Sequence, residues 1–413
     1  MTGFQVLGLV IALVAVFGYL NHRFVRLPDA IGITAIGVVV SIVAVLVARI
    51  DPAIGAAVTR EMAGIDFSGL LLHGVLGMLL FAGSMHIDVD EIAREKWLIF
   101  VLATLGVVIS TLVVGLAFFV VMPWLGIAIP LLYCLLFGAL ISPTDPVAVL
   151  AVIKRVGVPR SMEMRIAGES LFNDGTGVVV FLTLLALTAG DGRFEWGATA
   201  LLFATEVVGG TLYGLVVGYL GFRMLRGIDS YAVEILITLA LCTAGYAGAE
   251  ALHVSGPIAV VVMGLIVGNR GKREAMSERT RARLFDFWEV LDELLNLLLF
   301  GLIGLEMMTL TFSAAHLAAG AIGIAVVLAA RLISVSGPLL LAPRLGGVRA
   351  AAITIMTWGG LRGGISIALA LSLPDVAGRD LIISTTYAVV IFSILVQALT
   401  LGRVAIRALR PQA

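Results

Sequence analysis

Thirteen stretches of this chain are apolar over the length of a membrane helix, and a span needs about 20 such residues. They are residues 4–20, 29–47, 67–86, 97–122, 125–153, 166–189, 196–220, 231–251, 256–268, 290–310, 312–342, 350–373 and 381–408. The ninth is short and leans on its flanks. In hydrocarbon every backbone amide must be satisfied internally, so runs of this length fold as helices. Composition agrees: 60% of residues are hydrophobic and 13% charged, with a mean hydropathy of +1.11, where a soluble domain carries about 25% charged residues. The expected fold class is an all-α polytopic membrane protein with about thirteen transmembrane helices. The formal net charge is zero, which argues against a nucleic-acid partner. Cys134 and Cys242 lie inside apolar runs without metal-ligand spacing and read as buried small hydrophobes. The first run lacks a basic start and a small-residue cleavage site, so it reads as a retained span rather than a removed signal. Few residues follow the last run, so no soluble regulatory domain is expected.

Loop charge fixes the orientation. Alternate connections hold Arg23 and Arg26; Arg94 and Lys96; Lys154, Arg155, Arg160 and Arg165; Arg223 and Arg226; the cluster from Arg270 to Arg283; Arg344 and Arg349; and Arg403, Arg407 and Arg410. Together these are 21 of the 27 basic residues. The positive-inside rule then places the N-terminus outside and the C-terminus in the cytoplasm of a cell-membrane protein. The basic loop 270–283 is foremost a topology signal and secondarily a candidate contact for lipid headgroups.

Two spans contradict their own surroundings. The fifth carries Ser142-Pro143-Thr144-Asp145-Pro146, whose prolines remove two amide donors. The twelfth carries Gly359-Gly360-Leu361-Arg362-Gly363-Gly364, which is poor helix. The two differ by seven in span order, an odd offset, so they run in opposite directions, as in inverted repeats. Broken segments at matching places in two halves point to a transporter's binding site. The sixth span opens on Gly168-Glu169-Ser170-Leu171-Phe172-Asn173-Asp174-Gly175. A carboxylate at membrane depth costs roughly 2.5–3.5 kcal/mol on insertion scales. Residues four apart share a helix face, so Ser170 stacks under Asp174 and Glu169 under Asn173. One face thus offers a carboxylate over a hydroxyl, a hard oxygen site for a small cation. Asp145, Glu169, Arg331 and Arg362 are two acids and two bases able to neutralise one another, which leaves Asp174 with no base.

With those motifs in place, the chain resembles the sodium/proton exchangers of the monovalent cation:proton antiporter family, on its Asn-Asp branch. The resemblance rests on Pro-Thr-Asp-Pro at 143–146, Glu-Ser-Leu-Phe-Asn-Asp-Gly at 169–175, Ser-Gly-Pro-Ile-Ala-Val-Val-Val-Met-Gly at 255–264, Phe-Gly-Leu-Ile-Gly-Leu-Glu at 300–306 and Gly-Gly-Leu-Arg-Gly-Gly-Ile-Ser at 359–366. It implies one antiporter domain over 1–413, with two crossed broken helices in an ion-carrying core that includes 125–189 and 312–373. The remaining spans would form a scaffold for a homodimer. It also implies roles. Asp174 is the shared cation and proton carboxylate. Asn173, Ser170 and the Thr144 carbonyl help hold the ion. Asp145 shapes the helix crossing, Glu169 pairs with Arg331, and Arg362 occupies the second break. No cofactor is implied beyond the transported sodium and proton. The expected activity is exchange of a monovalent cation, sodium or lithium, for a proton, with potassium/proton exchange as the alternative.

The chain departs from the family in one place. Many relatives follow Leu-Leu-Phe in the third span with an acid, whereas here Leu79-Leu80-Phe81 precedes Ala82. The nearest replacements in sequence are His86 and Asp88. Asp292, Glu293 and Asn296 begin the tenth span at the water boundary. Glu206, Glu234, Glu250 and Glu306 read as packing or interface residues, and His73 and His86 as hydrogen-bonded rather than pH-sensing. Because Asn173 is neutral, the Asn173–Asp174 pair carries one titrating charge, which makes exchange one-for-one and electroneutral. A channel would need an open pore lined by rings of groups. An intramembrane protease would need a serine-nucleophile or zinc motif, both absent from this sequence, or an aspartate dyad. Asp145 and Asp174 could form such a dyad in principle, but without support for a substrate cleft. A proton-coupled solute transporter would differ by carrying a second solute.

Overall fold

A computed structural model describes residues 3–50, 69, 74–189, 196–309, 313–341, 349–376 and 378–410. Ordered helices begin with α1 (Gly3–Leu20) and α2 (Asp29–Ile50). Then come α3 (Leu76–Met85), α4 (Val89–Ala103), α5 (Leu105–Val121), α6 (Leu131–Leu140), α7 (Val147–Val156) and α8 (Arg160–Ala189). The middle of the chain forms α9 (Trp196–Ala204), α10 (Gly210–Arg226), α11 (Tyr231–Ala251), α12 (Gly256–Leu265) and α13 (Glu278–Glu306). The last third forms α14 (Ala314–Leu341), α15 (Arg349–Trp358), α16 (Gly364–Leu371), α17 (Arg379–Phe392) and α18 (Ala398–Leu409).

Each of the thirteen apolar segments carries helix, although His73 and most of the third segment before residue 74 lie outside the described residues. Among the described residues, eight helices are long and apolar enough to cross a membrane by length and composition. The fourth and tenth segments start earlier than their apolar runs suggest. Asp88 caps α4, accepting from the amides of Asp90 and Glu91, and Ser277 caps α13, accepting from Thr280. A capped, charged first turn is good helix without being apolar.

By packing, the helices fall into two groups. In one, α13 lies along α2 and α1, and α3 packs with α10, α11 and α12 through the α3–α12 contact. In the other, α8 packs on α4 and α6, α5 on α6, and α14 on α5 and α17, with α15 against α18. Lipid supplies no hydrophobic drive between helices, so close approach and polar contacts do that work. Gly37 of α2 meets Gly304 of α13 backbone to backbone. Beside them Ser41 donates to the Gly304 carbonyl at 2.6 Å and Thr34 to that of Phe300 at 3.2 Å. The second group is pinned by Phe118 and Phe137, with ring centroids 4.5 Å apart. Cys134 and Cys242 are buried free thiols.

Candidate functional site

Pro143 and Pro146 end α6 and delay α7, leaving 141–146 outside α-helix; the glycines leave 359–363 likewise open between α15 and α16. The two open segments meet. The Asp145 amide donates to the Leu361 carbonyl at 2.8 Å. Arg362 reaches back through Nη1 to the carbonyls of Ser142 and Pro143, the latter at 2.8 Å.

Here the expected neutralisation of two acids by two bases is corrected. Glu169 and Arg331 do form a buried pair, bidentate through both guanidinium nitrogens, one contact being 2.9 Å. Arg331 also donates from Nε to the Met356 carbonyl at 3.2 Å. Asp145 and Arg362, however, make no ion pair with each other. Asp145 accepts from the Val147 amide at 2.8 Å, capping α7. Its carboxylate also packs so closely on Gly363, the N-cap of α16, that a Cβ there would collide with it. Arg362 sits where α6 ends in unpaired carbonyls. Each charge therefore answers half-helix dipoles, the acid at two positive N-termini and the base at a negative C-terminus. That pairing is invisible in sequence because it depends on where the broken helices stop.

Against this crossing lies α8, which brings four predicted site residues together. Asn173 uses both ends of its amide on one residue: Nδ2 donates to Thr144 Oγ1 at 2.8 Å, and Oδ1 accepts from the Thr144 amide at 3.2 Å. The Thr144 and Ser170 hydroxyls lie 3.0 Å apart. Asn173 thus fixes the backbone that presents the Thr144 carbonyl. Asp174 is different. It is 7% exposed and makes no hydrogen bond or ion pair with any described residue; the charges acting on it are Asp145 and Arg362.

Asp174 faces a cavity of about 480 Å³ at the seam between the two helix groups. Thr144, Asp145, Leu171 and Ser366 line it from one side, and Leu79, Leu80, Leu299 and Asn296 from the other. Lys154, Glu163, His86 and Glu289 line it too, with Lys154, His86 and Glu289 exposed. Further from the cavity the loop-side charges pair among themselves. Arg165 meets Glu95 at 2.9 Å, Arg160 meets Glu91 at 2.9 Å and Arg273 meets Asp90 at 2.6 Å. The hydrogen bonds that Arg160 and Arg273 donate to Glu91 and Asp90 hold their guanidiniums above the ordinary value.

The third-span position reads differently in three dimensions. Ala82 is fully buried and does not line the cavity. Asp88 is spent on capping α4. His86 does reach the cavity, with Nδ1 2.8 Å from the Ala82 carbonyl and its ring edge-on to Phe285. The carboxylates that line the cavity with Asp174 and Asp145 come mainly from α13: Glu289, Asp292 and Glu293, with Asn296 one turn deeper. Their spacing of three, four and seven was a readable signal of one helix face.

The family model for the transmembrane sodium/hydrogen exchanger matches residues 9–407. The Na(+)/H(+) antiporter NhaP of Pseudomonas aeruginosa is 48% identical over 398 residues, covering 95% of this chain and 94% of that one. The Na(+)/H(+) antiporter NhaH of Halobacillus dabanensis is 33% identical over 386 residues, covering 92% and 91%. Among solved structures, the sodium proton antiporter MjNhaP1 from Methanocaldococcus jannaschii superposes with a TM-score of 0.74 at 18% identity over 98% of both chains, a likeness of fold. With the motifs of the sixth, fifth and twelfth spans meeting at one buried carboxylate, the chain belongs to the sodium/hydrogen exchanger family of multi-pass membrane transporters.

Proposed function

We propose that the protein exchanges sodium for protons across the cell membrane at Asp174, one for one, by alternating access. The observation that carries this reading is the state of Asp174: a buried carboxylate on the cavity wall, beside a helix crossing, with no hydrogen-bonding partner among the described residues. A charge held that way is neutralised by a proton or by a cation. Both cannot sit on it together, and that competition couples the two fluxes. Ser170 and the Thr144 carbonyl join Asp174 around the ion, while Asn173 holds Thr144 in register. Lithium follows sodium as substrate because both are hard cations for oxygen ligands.

One titrating group at the site makes the cycle electroneutral. Glu169 and Arg331 as a pair, and Asp145 and Arg362 each held at helix ends, move with the site without entering the exchange. The cavity mouth near the basic loops is the cytoplasmic entrance, with the N-terminus outside and the C-terminus inside. The ion-carrying core comprises 125–189 and 312–373, and the rest forms a dimerisation scaffold. The test uses purified protein in acid-interior liposomes with an entrapped pH dye. Sodium and lithium are expected to release the internal protons, at a rate that an imposed membrane potential leaves unchanged. A response to potassium alone would reassign the substrate, and a steady current scaling with turnover would overturn electroneutrality.

A further inference from the structure

The motif at 359–366 ends in Ser366, to which the exchange cycle above gives no role. Ser366 lies in the first turn of α16, just past the second break. It is 1% exposed, and its hydroxyl has no hydrogen-bond partner among the described residues. Other buried hydroxyls at the site are paired, Ser142 with the Gly138 carbonyl at 2.6 Å and Thr144 with Ser170. Ser110, Thr357, Thr385 and Tyr387 also hold buried hydroxyls without a partner among the described residues, but none of them lines the cavity. Leaving a buried hydroxyl unpaired is costly, and such a group in a native fold calls for an absent partner. Ser366 lines the same cavity as Asp174 and Thr144.

The other oxygens of the site share one origin. Asp174, Ser170 and the Thr144 carbonyl come from α8 and the first break, so the second break contributes backbone and Arg362 but no oxygen ligand. One of those oxygens, the Ser170 hydroxyl, already faces the Thr144 hydroxyl at 3.0 Å. An alkali cation shedding its water needs several oxygens at once, and the unclaimed buried hydroxyl on this cavity wall fits that need.

We propose that the Ser366 hydroxyl is a cation ligand supplied by the second broken segment, and that it sets the preference among alkali cations. The proposal rests on exchange at Asp174 as read above. Losing one oxygen penalises the smaller, more tightly hydrated ion most, so lithium suffers more than sodium and sodium more than potassium.

The experiment measures proton release from liposomes as a function of lithium, sodium and potassium concentration for wild type, Ser366→Ala, Ser366→Thr and Asp174→Asn. Ser366→Ala is expected to raise the KM for sodium roughly three- to tenfold, the range of one neutral polar contact. It should raise that for lithium further and leave kcat within about twofold, and Ser366→Thr should restore both constants. A purely structural serine would lower kcat for all three cations alike without changing their ratio, and that result overturns the proposal. If Ser366→Ala does not elute as a monodisperse species, Ser366→Cys carries the test, because it keeps the volume and offers a soft sulfur that serves hard cations poorly. Unchanged KM values and ratios, alongside active wild type and inactive Asp174→Asn, would refute the role of Ser366 and leave the proposed function standing. Inactive wild type would overturn both.

Discussion

Consider the Glu169–Arg331 pair, whose side chains are 1% and 8% exposed. The guanidinium spends Nη1 and Nη2 on the carboxylate and Nε on the Met356 carbonyl. Its stem crosses Gly360, where a Cβ would strike it. Arg331→Met keeps much of the stem but leaves Glu169 as an unpaired buried charge, which costs about 3–5 kcal/mol. Glu169→Gln strands the guanidinium at a similar cost. The double variant Glu169→Gln/Arg331→Met removes both charges, and replacing a whole buried pair by neutral groups is often close to neutral. The coupling energy of this cycle should therefore reach at least ~2 kcal/mol. The assay is the monodisperse fraction of detergent-purified protein after heating. Melting shifts by roughly 2–4 °C per kcal/mol in chains of 150–250 residues and by less in a longer chain. Each single variant should thus lose several degrees, with the double variant recovering most of the loss. Single variants melting with wild type, or a double variant whose loss equals the sum of the singles, would refute the reasoning.

Two further expectations follow from the site. Asn173→Ala deletes both contacts to Thr144, so the KM for sodium should rise about tenfold or more, in the range of one to two hydrogen bonds, with the fold intact by elution profile. Asp292→Asn combined with Glu293→Gln removes charges that line the cavity; sodium KM should rise about two- to fivefold at low ionic strength. That difference should fade as choline chloride approaches about 0.1 M, where the Debye length is about 10 Å.

What the sequence made legible was whatever lay in one local stretch. Pro143, Pro146 and the glycines from 359 to 364 announce two breaks because they cannot hold helix. Asp174 announces itself because a charge at that depth needs a reason. The partners of Asp145 and Arg362 were not legible. They answer helix ends, and those ends exist only once the two breaks meet through the Asp145 amide and the Leu361 carbonyl. The role of Asn173 in gripping Thr144 twice also needs two elements 29 residues apart to touch. The cavity-lining face of α13 was legible only in part, because the apolar run begins at residue 290 and leaves out Glu289. The helix, capped by Ser277, begins at Glu278 and turns that charged face into the seam. Ala82, conspicuous in sequence, proves to be a packing residue.

The central claim is that one carboxylate carries both ions. It is tested most directly by measuring radioactive sodium uptake and proton release in the same liposomes for wild type and Asp174→Asn. Wild type should show equal and opposite fluxes, and the variant should lose both together while still purifying as a folded, monodisperse protein. An Asp174→Asn variant that kept either flux, or lost one and retained the other, would contradict the claim.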